Sequence, residues 1–383
     1  MSKELNFVTK NKSKWDFETP CFVINKSQLT DTIEEIKHLL PGEILYSHKT
    51  NPDHAITEAV MNAGFGFLLS SIEETETLIT DYKIPPERLV FQTPSLTPQE
   101  YDYIKKIGIF RFIIDSVSQL EMILASLDDV VRTPEILIRI NTGVKVFHSE
   151  LQYSTDSFLG FPMEDAMPIL ERVNELRKNG KITLGLHNHL LSQNTHLEIW
   201  EENLETIADF VEKLKSKGIE LDKVDFGGGY PIEYNEPCPS LEAISKLIIK
   251  ATNRMRLAYP AIAFMFEPGR KVVGESITLI GQVAHVKEFR GSHVAILDCS
   301  VYNACLDTII VDLELKTNKT GDENSNKKEY IIRGCTPDSM DIFSKKVNLP
   351  ELASGDFLAF MHAGAYSFWS DFISLKKPPH ILI

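Results

Sequence analysis

Paired cysteines are what this 383-residue chain lacks first. Its five, Cys21, Cys238, Cys299, Cys305 and Cys335, form no CxxC pair and are odd in number. A disulfide-stapled scaffold and a thiolate zinc site are excluded, and reduced thiols in a cytoplasm are expected. Basic charge is also short: 40 Lys and Arg stand against 54 Asp and Glu, a net charge of -14. A nucleic-acid binder needs a basic footprint to displace counterions, and an anionic membrane surface needs the same, so neither partner is expected. No stretch approaches eighteen apolar residues, which leaves no membrane-spanning helix. The first twenty residues, MSKELNFVTKNKSKWDFETP, hold no apolar core of signal-peptide length.

What is present reads as an ordinary globular enzyme, with 43% hydrophobic and 25% charged residues. The length exceeds one ordinary core and suggests two domains. From about residue 27 to 270, short apolar runs alternate with amphipathic stretches. The runs are 43–49, 65–70, 88–93, 111–115, 135–141, 184–190, 223–229 and 263–269. Eight such strands separated by helices predict a (β/α)8 barrel. IWEENLETIADFVEKLKSKG repeats apolar residues at helical spacing and closes on Lys-Gly, a fitting stop.

Beyond Arg270 the period shortens to two, with glycine breaks, as antiparallel strands require. The expected division is a barrel over 27–270 and a β domain made of 1–26 with 271–383, the strand near residue 22 joining the latter. NKTGDENSNKKEY, 318–330, reads as an exposed hairpin loop.

Four motifs stand in fixed order: Tyr46-Ser47-His48-Lys49, His187-Asn188-His189, Gly227-Gly228-Gly229 and Glu267-Pro268-Gly269-Arg270. Lys49 ends the first barrel strand, where barrels place catalytic groups, and suits a lysine that bonds an aldehyde. Consecutive glycines let backbone amides approach a phosphate. A carboxylate such as Glu267 can keep a pyridine nitrogen protonated. Arg270 could bind a phosphate or hold Glu267. His187 and His189, two apart on one strand, would face the same side, and His189 could cover a ring. No third ligand of clear spacing accompanies them, so no metal site is read. Singly, each has an ordinary reading: an exposed lysine, a tight turn, a surface ion pair, a core histidine. Together they describe a site for pyridoxal 5'-phosphate.

With HKTN, HNHLLSQ, VDFGGGYP, EPGR, DSMD and GAYSF, the chain resembles the fold-type III pyridoxal-phosphate decarboxylases. These include the diaminopimelate, ornithine/arginine and carboxynorspermidine decarboxylases, with an alanine-racemase-like fold. The likeness runs from Thr19-Pro20 to Tyr366-Ser367. It implies an amino-acid decarboxylase, a lyase of biosynthetic metabolism, with Lys49 bonding the cofactor and His189 stacking on its ring. It implies Glu267 at the ring nitrogen, and Ser192, Gly228, Gly229, Arg270 and Tyr366 at the phosphate. It further implies that Arg139, in IRIN, supports the site near Lys49. Family members are homodimers with shared sites, so Asp338 would reach the substrate's distal amine from the partner copy, with Asp307 a second contact.

Four departures bear on substrate and chemistry. Pro337 stands where the family carries the cysteine that reprotonates the substrate carbon, so either Cys335, two residues earlier, serves as the acid or another donor does. Leu191 replaces a glycine before Ser192, and Leu68 replaces an aspartate. VYNACLDT lacks the arginine that diaminopimelate decarboxylases use for the distal carboxylate. The expectation is a basic or conjugated diamino acid, free or carrier-bound, of siderophore, antibiotic or polyamine type. A racemase of the same fold and a non-catalytic cofactor-binding homologue are the alternatives. Racemases of this fold typically place an arginine at the ring nitrogen, so Glu267 favours decarboxylation.

Overall fold

The structure, a computed structural model, describes residues 18–127, 132–145, 158–320, 326–367, 370 and 374–382. Eight parallel strands close into a barrel. They are β2 (Glu43–Ser47), β3 (Gly66–Leu69), β4 (Leu89–Phe91), β5 (Arg111–Ile114), β6 (Glu135–Asn141), β8 (Thr183–His187), β9 (Lys223–Asp225) and β10 (Ala263–Phe266). Pairing of β10 with β2 and of β5 with β6 completes the ring, and a two-residue strand β7 (Phe161–Pro162) adds to β6 outside it.

The strands are buried on both faces, so their sequences are nearly continuous apolar runs. The two-residue period still sorts the inward positions into layers. The lower layer is ionic: the Arg111 guanidinium donates to both Glu43 oxygens at 2.7 Å and to Glu135 at 2.9 Å, and Lys223 also donates to Glu135. Two residues further along each strand, Leu45, Leu68, Val90, Ile113, Leu137 and Met265 form a separate apolar layer. Two residues further again come Ser47, Arg139 and Glu267, joined by His187 and by Asp225, its register partner on β9. The apolar layer thus isolates a polar mouth from an ionic base.

The outer helices bury one stripe each. Leu197–Ser216 turns Trp200, Leu204, Ile207, Val211 and Leu214 inward and stops before Gly218. Several begin on side-chain caps, among them Asp53, Ser71, Thr97, Ser116 and Ser240.

The second sheet is organised on the long strand β11 (Ile277–Phe289). Its first half pairs with β1 (Cys21–Ile24) and β16 (Phe357–Phe360), and its second half with β12 (Ser292–Leu297), all antiparallel. β13 (Thr317–Lys319) pairs with β16, and β14 (Lys327–Arg333) with β15 (Ile342–Pro350). Two pairs are parallel, β12 with β14 and β1 with β17 (His380–Leu382). The strand near residue 22 thus sits in this sheet.

Two local expectations need correction. The segment 318–330 is not a hairpin loop, because β13 and β14 pair with different strands; its residues 321–325 lie outside the described residues. The barrel strands also end sooner than their apolar runs suggest. β2 stops at Ser47 and β8 at His187, so Lys49 and His189 stand on the turns beyond. Among the described residues, no helix is long and apolar enough to cross a membrane.

Candidate active site

Lys49 is carried on a single 3₁₀ turn, His48–Thr50. Both its neighbours are buried, while Lys49 itself is exposed. His48 anchors the turn, with Nδ1 3.3 Å from Glu74 Oε1 and Nε2 3.4 Å from Thr57 Oγ1. The second sheet grips the same turn. Tyr366 donates its N–H to the Thr50 carbonyl at 2.9 Å, and Asn51 Nδ2 donates to the Gly364 carbonyl at 2.8 Å. Tyr366 holds a left-handed backbone (φ 53°), a conformation that costs a non-glycine residue about 1–3 kcal/mol.

His187 and His189 do not share a strand face. His187 points into the barrel, and His189 lies in the loop above. The Gly228 N–H donates to His189 Nδ1 at 3.1 Å. Burial, aided by Arg139, His187 and Lys49, holds the His189 pKa well below its ordinary value. The ring is therefore neutral, and the bond to Gly228 leaves the proton on Nε2. In this conformation the Gly228 amide serves His189. Gly229 (φ 99°) has its Cα so near the Leu191 carbonyl that a Cβ would stand 2.2 Å from that oxygen. Glycine is required there by both space and conformation.

Glu267, 3% exposed, follows β10. Its Oε2 lies 3.3 Å from His187 Nε2. Burial raises its pKa to about 7, against the opposing pull of an Asp225 hydrogen bond and of the Arg139 and Lys49 charges. Asp225 is pushed well above the carboxylate range, first by burial and then by Glu267, while burial lowers His187 to about 3. The potential ligand atoms of His187, Asp225 and Glu267 lie within 4.8 Å of one another, a convergence that sequence spacing did not reveal.

Arg270 is fixed by aromatic rings. Nη1 donates to Tyr234 Oη at 2.6 Å, and the guanidinium lies 5.5 Å from the Tyr234 ring and 4.9 Å from the Tyr366 ring. Asp307 stands 4.0 Å from Arg270 Nη2.

A cavity of about 200 Å³ joins these groups at the C-terminal end of the barrel. Lys49, Arg139, His189, Ser192, Gly228, Gly229, Glu267, Arg270 and Tyr366 all line it. Ser47, Gln193 and Tyr230, motif members given no role from the sequence, line it too, as does Gln92, which lay in no motif. Cys335, Asp338 and Asp307 are not among its lining residues. Cys335 is exposed, its N–H donating to the Cys299 carbonyl at 2.8 Å, and burial and Asp341 raise its pKa. Asp338 Oδ1 accepts the Met340 N–H at 2.8 Å.

The cavity fits pyridoxal phosphate on its own evidence. Glu267 Oε1 is a buried acceptor with no hydrogen-bond partner among the described residues, which a ring N–H would satisfy. The model of the pyridoxal-dependent decarboxylase pyridoxal-binding domain matches residues 26–274. The chain belongs to the pyridoxal-dependent decarboxylases. It is a pyridoxal-phosphate-dependent carboxy-lyase, with the barrel and sheet of the alanine-racemase-like fold.

Among relatives of this decarboxylase, the diaminopimelate decarboxylase of Zymomonas mobilis is 28% identical over 363 residues, covering 91% of this chain and 83% of the relative. Two solved structures share the fold. Lysine/ornithine decarboxylase from Vibrio vulnificus, complexed with putrescine, gives a TM-score of 0.85 at 22% identity, covering 100% of this chain and 99% of that one. Diaminopimelate decarboxylase from Helicobacter pylori, complexed with L-lysine, gives 0.85 at 23% identity, covering 98% and 94%. Of the decarboxylase's departures, Leu68 lines the cavity and Leu191 packs with Val144 and Ile199.

Proposed function

We propose that this decarboxylase removes the α-carboxylate of an L-amino acid that carries a second, distal amine. The observation that supports it most is the meeting of Lys49, His189 and Glu267 around one cavity. Bound pyridoxal phosphate supplies an aldehyde for amines and a protonated ring that draws electrons from the breaking Cα–carboxylate bond. Lys49 is the amine that bonds the cofactor and later releases the product. His189, neutral, would cover the ring face. Glu267, as a carboxylate, would accept the ring N–H, and Arg139 lends that carboxylate a nearby positive charge. Ser192, Gly229, Arg270 and Tyr366 hold the phosphate, and Gly228 aims His189.

Among the described residues Glu267 is the one acid that lines the cavity, and it is committed to the ring. A distal amine therefore needs an acid from elsewhere. A homodimer in which Asp338 of a second copy closes the cavity supplies one, and the same loop would bring Cys335 as proton donor to Cα. The compared relatives act, by name, on diaminopimelate, lysine and ornithine. The lack of arginine in 301–308 favours an amine without a second carboxylate, of the kind used in polyamine, siderophore or antibiotic assembly.

The test is CO2 release from ornithine, lysine, arginine, meso-diaminopimelate, carboxynorspermidine and acylated or citryl diamino acids, with pyridoxal phosphate added. Release from a basic member and none from Lys49→Ala is expected. Inversion at Cα without CO2, or turnover that survives Lys49→Ala, would overturn the reading.

A further inference from the structure

Asp225 and His187 have no part in the assignments above, yet they are fully buried beside Glu267. They are register partners on adjacent strands, and Glu267 follows the next strand round. Asp225 Oδ1 accepts the Gly227 N–H at 2.8 Å, and potential ligand atoms of Asp225, Glu267 and His187 lie within 4.8 Å of one another. Two carboxylates are both acceptors, so a hydrogen bond between them forms only when one carries a proton. Ionised together, Asp225 Oδ2 and Glu267 Oε1 would be buried acceptors with no donor among the described residues. One proton between the two carboxyls gives Asp225 Oδ2 a partner and removes the repulsion of two buried like charges, and the Glu267 carboxylate keeps lone pairs free to accept a ring N–H.

The surroundings select the carrier. Burial raises both carboxyls most, but Arg139 and Lys49 favour negative charge on Glu267, while Glu267 itself pushes Asp225 further up. The proton therefore rests on Asp225. His187 is neutral, and with its proton on Nε2 it donates to Glu267 Oε2, 3.3 Å away.

We propose that Asp225, protonated, and His187, neutral, are positioning residues that each donate a hydrogen bond to the Glu267 carboxylate. A proton between a pyridine nitrogen and a carboxylate in a dry site can rest on either. Two donors stabilise the carboxylate form of Glu267, and the proton stays on the ring. Without them the neutral pair gains, and the electron sink weakens. This inference rests on the reading that Glu267 faces the ring nitrogen.

Holoenzyme reconstituted with pyridoxal phosphate carrying ¹⁵N in the ring reports the position of that proton by its chemical shift, independent of turnover. Wild type should show the pyridinium shift. Asp225→Leu should move it toward neutral pyridine and slow CO2 release by about tenfold to a hundredfold, the effect of one lost charge-assisted hydrogen bond. Asp225→Asn, whose amide still donates, should stay near wild type. An unmoved shift in Asp225→Leu would overturn the proposal. If Glu267→Gln also leaves the shift unmoved, the Glu267 assignment fails instead. Should Asp225→Leu not fold, infrared spectra decide. A protonated-carboxyl stretch at neutral pH in wild type, lost in Asp225→Asn, supports the proposal; its absence from wild type, or its survival in the variant, overturns it.

Discussion

The backbone N–H of Tyr366 donates to the carbonyl of Thr50, next to Lys49, across 2.9 Å. This bond and its neighbour from Asn51 Nδ2 to Gly364 join the second sheet to the turn that presents Lys49. The sheet thus does more than sit beside the barrel. It sets where the lysine emerges.

Asn51→Ala should show that grip. Asn51 is fully buried, and the change leaves the Gly364 carbonyl without its donor. The expected cost is about 1–3 kcal/mol in chemical unfolding. The affinity for pyridoxal phosphate, read by absorbance titration, should weaken as the turn loosens.

Gly229→Ala should act on the cofactor through the loop. A methyl group would stand 2.2 Å from the Leu191 carbonyl, on a left-handed backbone. Backbone must shift at a cost of about 1–3 kcal/mol. Dissociation constants for pyridoxal phosphate should rise, while Gly218→Ala, left-handed but with open space for a Cβ, should alter stability alone.

Acid should destabilise the fold through His187. Burial holds its folded pKa at about 3, while the unfolded chain takes the proton near pH 6.5. Its contribution is full above the unfolded value and is lost as pH falls toward 3. Glu267, raised to about 7, works oppositely: the folded state keeps its proton below that pH and gains until the unfolded carboxyl also protonates. In the cofactor-free protein, His187→Gln removes only the first effect. Its thermal midpoint should fall less than wild type between about pH 6 and about pH 4.

Asp338→Ala should raise KM for diamino acids by the equivalent of about 1.5–3 kcal/mol, the worth of one charged hydrogen bond. Cofactor binding should be unchanged, because Asp338 is not among the residues lining the cavity of its own chain. A KM unaltered by the change would remove Asp338 from substrate recognition.

The strand and helix alternation and the order of the motifs were legible in the sequence, because side-chain periodicity is set locally by backbone geometry. Lys49, His189 and Glu267 could be singled out for the same reason: each lies where an apolar run meets polar residues. Strand ends were less legible. The run EILYSHK reads as one strand to Lys49, but the chain leaves the sheet after Ser47, when pairing to β3 and β10 stops. The His187, Asp225 and Glu267 cluster had no local signal, since its members are separated by 38 and 42 residues and meet only through strand register. The Asn51 bond to Gly364, spanning 313 positions, is of the same kind. By itself the sequence determined the elements, their order and the chemical types available. Closure of the barrel and docking of the second sheet decided which of those groups touch, because burial, register and charge environment exist only once distant strands are side by side.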